Sequence, residues 1–183
     1  MTNKPRIAAI AAMGRDRTIG KDNKIPWHIP EDMKYLRETT RGKPLIMGRN
    51  TYESIHAMRG TDPQLQCALP ARLNIVVTSQ TDYMPAPPAG VVTAPTPEDG
   101  LHIALQYAAD NHIDEVFVFG GATIYQALLP HVERLYLTVI DQDYNGDSFF
   151  PAIDTDAWRI TSQKKLPADN NNPLISFIIF DRN

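Results

Sequence analysis

This sequence of 183 residues has few cysteines and histidines, and it has no large excess of either acidic or basic residues. The single cysteine, Cys67, has no partner for a disulfide within the chain, and the five histidines are scattered without the spacing of a zinc site. We therefore expect no structural metal and a reducing compartment. The 21 acidic and 18 basic residues give a net charge of -3 with no basic run, which disfavours nucleic acid and anionic membranes as partners.

Long hydrophobic runs are also absent, since no apolar stretch approaches the roughly 20 residues of a membrane-spanning helix. Residues 7–13 are apolar, but this run is short for the core of a signal peptide, and Arg15, Asp16 and Arg17 follow it closely. We interpret it as a buried strand. The chain length suits one hydrophobic core, so we expect a soluble, cytoplasmic protein with a single domain over residues 1–183.

Eight runs rich in Val, Ile and Leu alternate with helical patterns along the chain. The runs predict strands at 6–13, 44–47, 73–79, 91–94, 115–119, 134–141, 158–165 and 174–181. The helical patterns predict helices at 30–39, 51–57, 97–111 and 122–129. The first five strands lack polar alternation, which favours parallel strands covered on both faces, whereas the last three have no helix between them. This order predicts a three-layer α/β fold, with a mixed, mostly parallel eight-stranded sheet, flanking helices and an antiparallel C-terminal end.

The helix at 97–111 has the clearest start signal. Thr96 can cap it, Pro97 suits the first helical position, and Asp99 completes a pair that resembles a capping box. Three other segments lack such signals. We expect functional loops at 14–29 and 56–71. The third segment, 85–90, is rich in proline, and we expect an extended surface connector there.

An acidic residue lies on the apolar side of the helix at 30–39. At 100° per residue, Asp32 falls on the flank of an apolar stripe while Glu31 points away. The stripe consists of Ile29, Met33 and Leu36. An ionised carboxylate beside apolar side chains is costly unless something pairs with it, so either a distant arginine or a ligand must supply donors. A planar heterocycle with an amino group beside a ring N–H would match both carboxylate oxygens.

Trp27 stands just before this helix, between two prolines. Pro26 and Pro30 restrict the backbone and fix how the loop enters the helix. An indole in this position serves either as an anchor in the core or as part of a ligand site. The residue pattern alone leaves both readings open for Trp27.

A glycine pair follows the strand predicted at 115–119. Gly120 and Gly121 precede a helical pattern, and glycines there let backbone N–H groups approach a phosphate at the positive end of a helix. The pair is not the dinucleotide fingerprint G-x-G-x-x-G. A plain tight turn between strand and helix explains it equally well.

Two more strand endings carry polar residues. Gly48 and Arg49 follow the strand at 44–47, where Thr51 is a potential helix cap, and Thr78 and Ser79 end the strand at 73–79. Ligands collect outside the carboxyl ends of parallel strands, so we expect these endings and the glycine pair to meet at one cofactor. Neither ending offers an acid that would favour an unphosphorylated ribose, so NADPH is favoured over NADH by analogy with the Rossmann fold.

The complete set of motifs covers most of the chain in a characteristic order. It comprises Ile10-Ala11-Ala12, Asp16-Arg17, Ile19-Gly20, Ile25-Pro26-Trp27, Pro30, Asp32, Lys43-Pro44 through Gly48-Arg49, Thr51, Glu53-Ser54-Ile55, Phe119-Gly120-Gly121, Ile124-Tyr125, Tyr136-Leu137-Thr138, Gly146-Asp147 and Phe150-Pro151. In this order and at these spacings, the sequence closely resembles the bacterial dihydrofolate reductase family over nearly its whole length.

The resemblance implies a site for dihydrofolate and for antifolate inhibitors. Asp32 and Trp27 would be the catalytic residues: Asp32 would pair with the pterin amino group and ring nitrogen, backed by Thr138, and Trp27 would order a water. The pterin would contact Ile10, Ala12 and Phe119. The aminobenzoyl group would contact Met33, Leu36 and Ile55, and the glutamate would contact Arg72. Arginine suits the last task because its guanidinium binds a carboxylate with two hydrogen bonds.

On the cofactor side, the resemblance implies that Arg49 and Ser79 hold the 2′-phosphate of NADPH. The other cofactor residues would be Ala12, Ile19, Gly20, Gly48, Asn50, Thr51, Thr78, Gly120, Gly121, Ala122, Thr123, Ile124 and Tyr125. The segment 14–25 would be a mobile loop that closes over the nicotinamide, with Asp147 on a distal loop able to bond to it. Family members are commonly monomeric, and none of these roles requires a metal.

The sequence departs from the family pattern at several positions. Ala122 replaces a third glycine, Leu36 replaces a common Phe, and the segment 56–71 is longer than usual, which affects the placement of Arg72. Two rival functions remain at this stage. One is a riboflavin-pathway pyrimidine reductase of the same fold, and the other is a non-catalytic nucleotide-binding module.

Overall fold

The computed structural model describes residues 4–58, 68–84 and 87–183. Its helices are α1 (Pro30–Thr40), α2 (Arg49–Met58), α3 (Pro97–Asp110) and α4 (Ala122–Leu128). Its strands are β1 (Arg6–Gly14), β2 (Thr18–Gly20), β3 (Leu45–Gly48), β4 (Asn74–Val77), β5 (Val91–Ala94), β6 (Glu115–Gly120), β7 (Arg134–Ile140), β8 (Ser148–Phe149), β9 (Trp158–Leu166) and β10 (Ile175–Arg182). No helix in these ranges combines the length and apolarity that crossing a membrane requires.

Eight of the strands form one sheet in the order β5-β4-β3-β6-β1-β7-β10-β9. The first six run parallel, and β10 pairs antiparallel with both β7 and β9. The predicted mixed α/β sheet with an antiparallel C-terminal end is therefore confirmed. The last three predicted strands correspond to β7, β9 and β10. Of these, β7 belongs to the parallel part of the sheet, because α4 makes the crossover between β6 and β7.

The apolar strands lie at the centre of the sheet because helices cover both of its faces. Phe117 and Val118 of β6 are fully buried. On one face, α3 lies so close to the sheet that a Cβ atom on Gly100 would come within 3.2 Å of Ile46 and Val77. A glycine at this helix position thus permits the close packing that the buried strands need.

The start of α3 forms largely as the sequence predicts. Pro97 occupies the first turn, and the Thr96 hydroxyl accepts a hydrogen bond of 3.1 Å from the backbone N–H of Asp99. In a capping box the acidic side chain would accept from the backbone N–H of the cap residue. Here the Asp99 carboxylate accepts from the Thr96 hydroxyl instead, at 2.6 Å. The cap consequently relies on side chains of both residues.

Two predictions of local structure require correction. Helix α2 begins at Arg49 rather than at Thr51, so Thr51 lies within the first turn and does not precede it as a cap. The segment 14–29 is not wholly irregular, since β2 pairs antiparallel with β8. Strands of three and two residues are too short to produce a recognisable hydrophobic pattern. Of the other irregular segments, 59–67, which includes Cys67, and 85–86 lie outside the described residues.

Candidate functional site

A cleft of about 550 Å³ opens at the carboxyl ends of the parallel strands. Such a volume is within the usual range for small-molecule sites. The cleft is lined by almost all of the predicted site residues, namely Ile10, Ala12, Ile19, Gly20, Trp27, Asp32, Met33, Leu36, Gly48, Arg49, Asn50, Thr51, Ile55, Thr78, Ser79, Phe119, Gly121, Ala122, Thr123, Ile124, Tyr125 and Thr138. Two predicted residues, Gly120 and Arg72, are not part of the lining.

The part of the cleft predicted to hold the substrate, called the substrate half below, is organised around Asp32 in the first turn of α1. The side chain is buried, with 9% of the residue exposed, and it accepts a hydrogen bond from the hydroxyl of Thr138 on β7. Burial raises the pKa of Asp32, and the Thr138 hydrogen bond only partly opposes that rise. No ion pair to Asp32 forms within the described parts of the chain. No distant arginine compensates the carboxylate within those parts of the chain, and this favours a ligand as the source of donors.

Apolar side chains surround the approach to Asp32. Met33 is 38% exposed although it belongs to the apolar stripe of α1, because it stands at the edge of the cleft. Trp27 lines the cleft and packs against Tyr144, with ring centroids 4.8 Å apart. The indole is thus packed against an aromatic neighbour and also lines the cleft, and a role of Trp27 in ligand binding stays a prediction.

The part of the cleft predicted to hold the cofactor, called the cofactor half below, is built from two helix starts. The first turns of α2 and α4 both line the cleft, and neither turn contains an acidic residue. At the junction between β6 and α4, a Cβ atom on Gly121 would lie 3.2 Å from the Thr51 hydroxyl. Close backbone approach and two positive helix ends suit the anionic diphosphate of a dinucleotide, so these residues fit NADPH.

Gly120 lies behind the cleft surface and shapes the junction. Its φ of +107° favours glycine, and a Cβ atom there would come within 2.6 Å of the Tyr125 ring. The hydroxyl of Tyr125 lies 2.6 Å from the Ile10 carbonyl and 2.7 Å from the Phe119 carbonyl, so it links β1 to β6. Burial raises the pKa of Tyr125, which keeps the hydroxyl a donor. Gly120 and Tyr125 together hold the two strand ends that border the cleft.

Arg49, the predicted 2′-phosphate residue, is held by neutral groups. Its Nη1 donates to the side-chain carbonyl of Gln80 at 3.2 Å, and its guanidinium lies 5.8 Å from the centre of the Tyr83 ring. Within the described ranges Arg49 forms no ion pair. Its positive charge is thus positioned without being neutralised.

Arg72 lies beside the end of α1, away from the cleft lining. Its Nε donates to the Thr40 hydroxyl at 3.0 Å, and its two Nη atoms donate to the carbonyls of Pro70 at 2.8 Å and Arg37 at 3.1 Å. The bonds to Thr40 and Arg37 fix the guanidinium to the last turns of α1. A contact between Arg72 and the glutamate of the substrate stays a prediction.

The loop that follows β1 is fastened at its start. The carboxylate of Asp16 accepts from the hydroxyl and backbone N–H of Thr18 at 2.8 and 3.1 Å, and from the backbone N–H groups of Tyr144 and Asn145 at 3.1 and 3.0 Å. Partial burial works to raise the pKa of Asp16, but these hydrogen bonds outweigh it and hold the pKa below its ordinary value. Asp16 therefore joins the start of the loop to the loop between β7 and β8.

The far part of the same loop contacts Asp147, as the family resemblance implies. The Asp147 carboxylate accepts from the backbone N–H of Asp22 at 2.9 Å, and the Asp147 N–H donates to the Gly20 carbonyl at 3.2 Å. Gly20 and Ile19 consequently lie over the cleft. The loop is held in a position that covers the site.

Several lining residues do not appear among the predicted site residues. They are Ala11, Asn23, Lys24, Ile25, Tyr35, Ser54, Met58, Leu69, Gln80, Asp147 and Ser148. Helical spacing could have indicated three of them, since Tyr35 follows Asp32 by three residues, Ser54 follows Thr51 by three, and Met58 follows Ile55 by three. Ser54 also donates to the Asn23 carbonyl at 2.8 Å.

The sheet and the cleft define a class: an α/β protein in which one cleft brings two helix starts that suit an anionic dinucleotide next to a buried carboxylate. A family model described as dihydrofolate reductase matches residues 6–182. The chain belongs to the dihydrofolate reductase family.

Individual relatives agree with this assignment. The chain is 37% identical over 177 residues to the dihydrofolate reductase of Bacillus subtilis (strain 168), covering 96% of this chain and 94% of that protein. It is 38% identical over 166 residues to dihydrofolate reductase type 3 of Salmonella typhimurium, covering 91% of each. A solved structure of the Enterococcus faecalis dihydrofolate reductase, complexed with NADP(H) and RAB-propyl, matches with a TM-score of 0.77 and 31% identity over 98% of both chains.

Proposed function

We propose that this protein reduces 7,8-dihydrofolate to 5,6,7,8-tetrahydrofolate with NADPH, in folate and one-carbon metabolism. The observation that carries the proposal is Asp32: a buried carboxylate with a raised pKa, a single hydroxyl partner in Thr138 and no ion pair within the described residues. It lies in the same cleft as the two helix starts that suit a diphosphate. Family membership supports this activity over both rival functions.

Asp32 binds and orients the pterin. Its two oxygens accept from the amino group and the adjacent ring N–H, and the Thr138 hydroxyl fixes the carboxylate plane. A negative charge at this place stabilises the pterin when N5 is protonated, so Asp32 raises the basicity of N5, and the proton arrives through water. Bound NADPH supplies the hydride that C6 accepts.

The remaining residues position the ligands and exclude bulk water. Gly121 and the first turns of α2 and α4 would hold the diphosphate, and Arg49 with Ser79 would hold the 2′-phosphate. The loop residues Ile19 and Gly20, held near Asp147, would cover the reacting rings. Exclusion of bulk water strengthens the interaction between Asp32 and the pterin.

An absorbance assay of NADPH oxidation tests this function. Purified protein is expected to oxidise NADPH only when dihydrofolate is added, and a diaminopyrimidine antifolate is expected to stop the reaction. NADPH oxidation that the antifolate does not inhibit, or the absence of oxidation with dihydrofolate, would contradict the proposal.

We also propose that residues 1–183 act as a single domain, as a monomer in the cytoplasm. The single cysteine in the sequence supports a reducing location. Light scattering coupled to size-exclusion chromatography tests the monomer, with a mass near 20.5 kDa expected. A mass of twice that value would contradict it, and cell fractionation tests the location.

A further inference from the structure

Arg49 at the start of α2 shares its surroundings with a tyrosine that no sequence motif points to. Tyr83 is half-buried and lies beneath the guanidinium, 5.8 Å from ring centre to Cζ. The backbone N–H of Tyr83 donates to the carbonyl of Gln80 at 3.3 Å, so one tight turn after β4 presents both partners of Arg49. Attraction between a guanidinium and an aromatic face fixes its plane.

The hydroxyl of Tyr83 is engaged elsewhere. It donates a hydrogen bond to the carboxylate of Glu53, and burial together with Glu53 raises the pKa of Tyr83 to about 12. The hydroxyl therefore stays protonated, and remains a donor, at any physiological pH.

Glu53 lies four residues after Arg49 on α2, one turn further along the same helix face. At that spacing a carboxylate and a guanidinium can form an ion pair, yet none forms between Glu53 and Arg49. The Tyr83 hydroxyl satisfies Glu53 instead. The charge of Arg49 consequently remains available to an anion in the cleft.

We propose that Tyr83 is a positioning residue that sets the preference for NADPH over NADH, because its ring supports Arg49 and its hydroxyl keeps Glu53 from neutralising Arg49. This inference rests on the proposed function. It adds a residue outside the cleft lining whose effect reaches the cofactor only through Arg49.

Direct binding of NADPH and NADH to the full protein tests the proposal, measured by titration calorimetry without substrate. Tyr83→Phe removes only the hydroxyl and should weaken NADPH binding about 3-fold, the scale of one exposed ion pair. Tyr83→Leu also removes the ring and should weaken it about 10-fold. Affinity for NADH, which lacks the 2′-phosphate, should stay unchanged in both variants.

A double variant separates the proposed role from general loosening of the turn. Glu53→Gln added to Tyr83→Phe should restore NADPH affinity, because the competing carboxylate is gone. Tyr107→Leu, at an exposed tyrosine of α3, is the matched control and should change neither affinity.

The outcomes divide clearly. Equal weakening of NADPH and NADH, unchanged affinity in both Tyr83 variants, or failure of Glu53→Gln to restore binding would overturn the role of Tyr83. Wild-type protein that binds NADPH no better than NADH would instead overturn the cofactor assignment in the proposed function.

Discussion

The two halves of the cleft handle charge in opposite ways. In the substrate half, Asp32 is buried, accepts one hydrogen bond from Thr138 and has a raised pKa. In the cofactor half, Arg49 is partly exposed and is held by an amide oxygen and an aromatic face. The ionised Asp32 carboxylate is destabilised because it is removed from water. The Arg49 guanidinium stays available to a ligand because its partners are neutral.

This contrast explains how each half gains selectivity. A desolvated carboxylate favours a ligand that brings its own donors, and the cost of leaving it unpaired disfavours others. An exposed guanidinium works at long range but is weakened by salt. The substrate half should therefore depend on one side chain, and the cofactor half on several weaker contacts and on backbone shape.

The largest expected effect comes from removing the buried charge. Asp32→Asn should lower kcat/KM for dihydrofolate by about 100-fold or more at pH 7, the scale of a lost acid–base group. The loss should shrink at acid pH, where solution supplies protonated substrate. Steady-state pH profiles measure this, with Glu31→Gln on the exposed side of α1 as control. Equal losses at every pH would show that Asp32 only binds the pterin.

The cofactor half should be most sensitive at its backbone. Gly120→Ala forces a methyl group against the Tyr125 ring at a φ of +107° and should cost about 2–4 kcal/mol of unfolding free energy. Gly42→Ala has a φ of +75° with open space around it, so it should cost only about 1 kcal/mol. Urea unfolding measures both. Equal costs would show that contact with Tyr125 adds nothing to the backbone strain.

Salt should weaken ligand binding in the cofactor half more than in the substrate half. Raising KCl from 50 to 500 mM should weaken NADPH binding about 5-fold or more, because Arg49 is solvent-accessible and screened. Binding of a diaminopyrimidine, which we propose pairs with the buried Asp32, should change less than about 2-fold. Fluorescence titration measures both affinities. A similar salt response for the two ligands would contradict the contrast between the halves.

The smallest effect concerns stability without ligands. Burial raises the pKa of Asp32 above the unfolded value of 3.8, so the folded protein loses stability as pH rises through that interval. Asp32→Asn should leave Tm unchanged below this interval and raise it by about 2–4 °C at pH 7. Thermal unfolding across pH measures the difference. A gain of the same size at pH 3 would assign it to packing and not to charge.

Sequence reasoning reaches the substrate half more easily than the cofactor half. The position of Asp32 on the flank of an apolar stripe follows from helical periodicity, and its burial confirms that position. The start of α3 likewise follows from local signals at Thr96 and Pro97. Local patterns suffice wherever one helix decides the outcome.

Tertiary packing decides the rest, and a local pattern cannot represent it. Arg72 is held by Thr40 and Arg37 across a long separation in sequence, so its placement beside α1 has no local signal. The same holds for Tyr83, whose partners Arg49 and Glu53 lie on another element. The short pair of β2 and β8 depends on Asp16 gathering donors from a distant loop.

The four hydrogen bonds on Asp16 also set how much chain must order when the site closes. Together with the bonds of Asp147 to Gly20 and Asp22, they fasten the loop from Asp16 to Asp22 before any ligand binds. Ordering a residue costs roughly 1–2 kcal/mol of backbone entropy, and each residue fixed in advance spares that cost on binding. Because these residues are ordered in advance, more of each loop contact with a ligand is retained as net binding free energy.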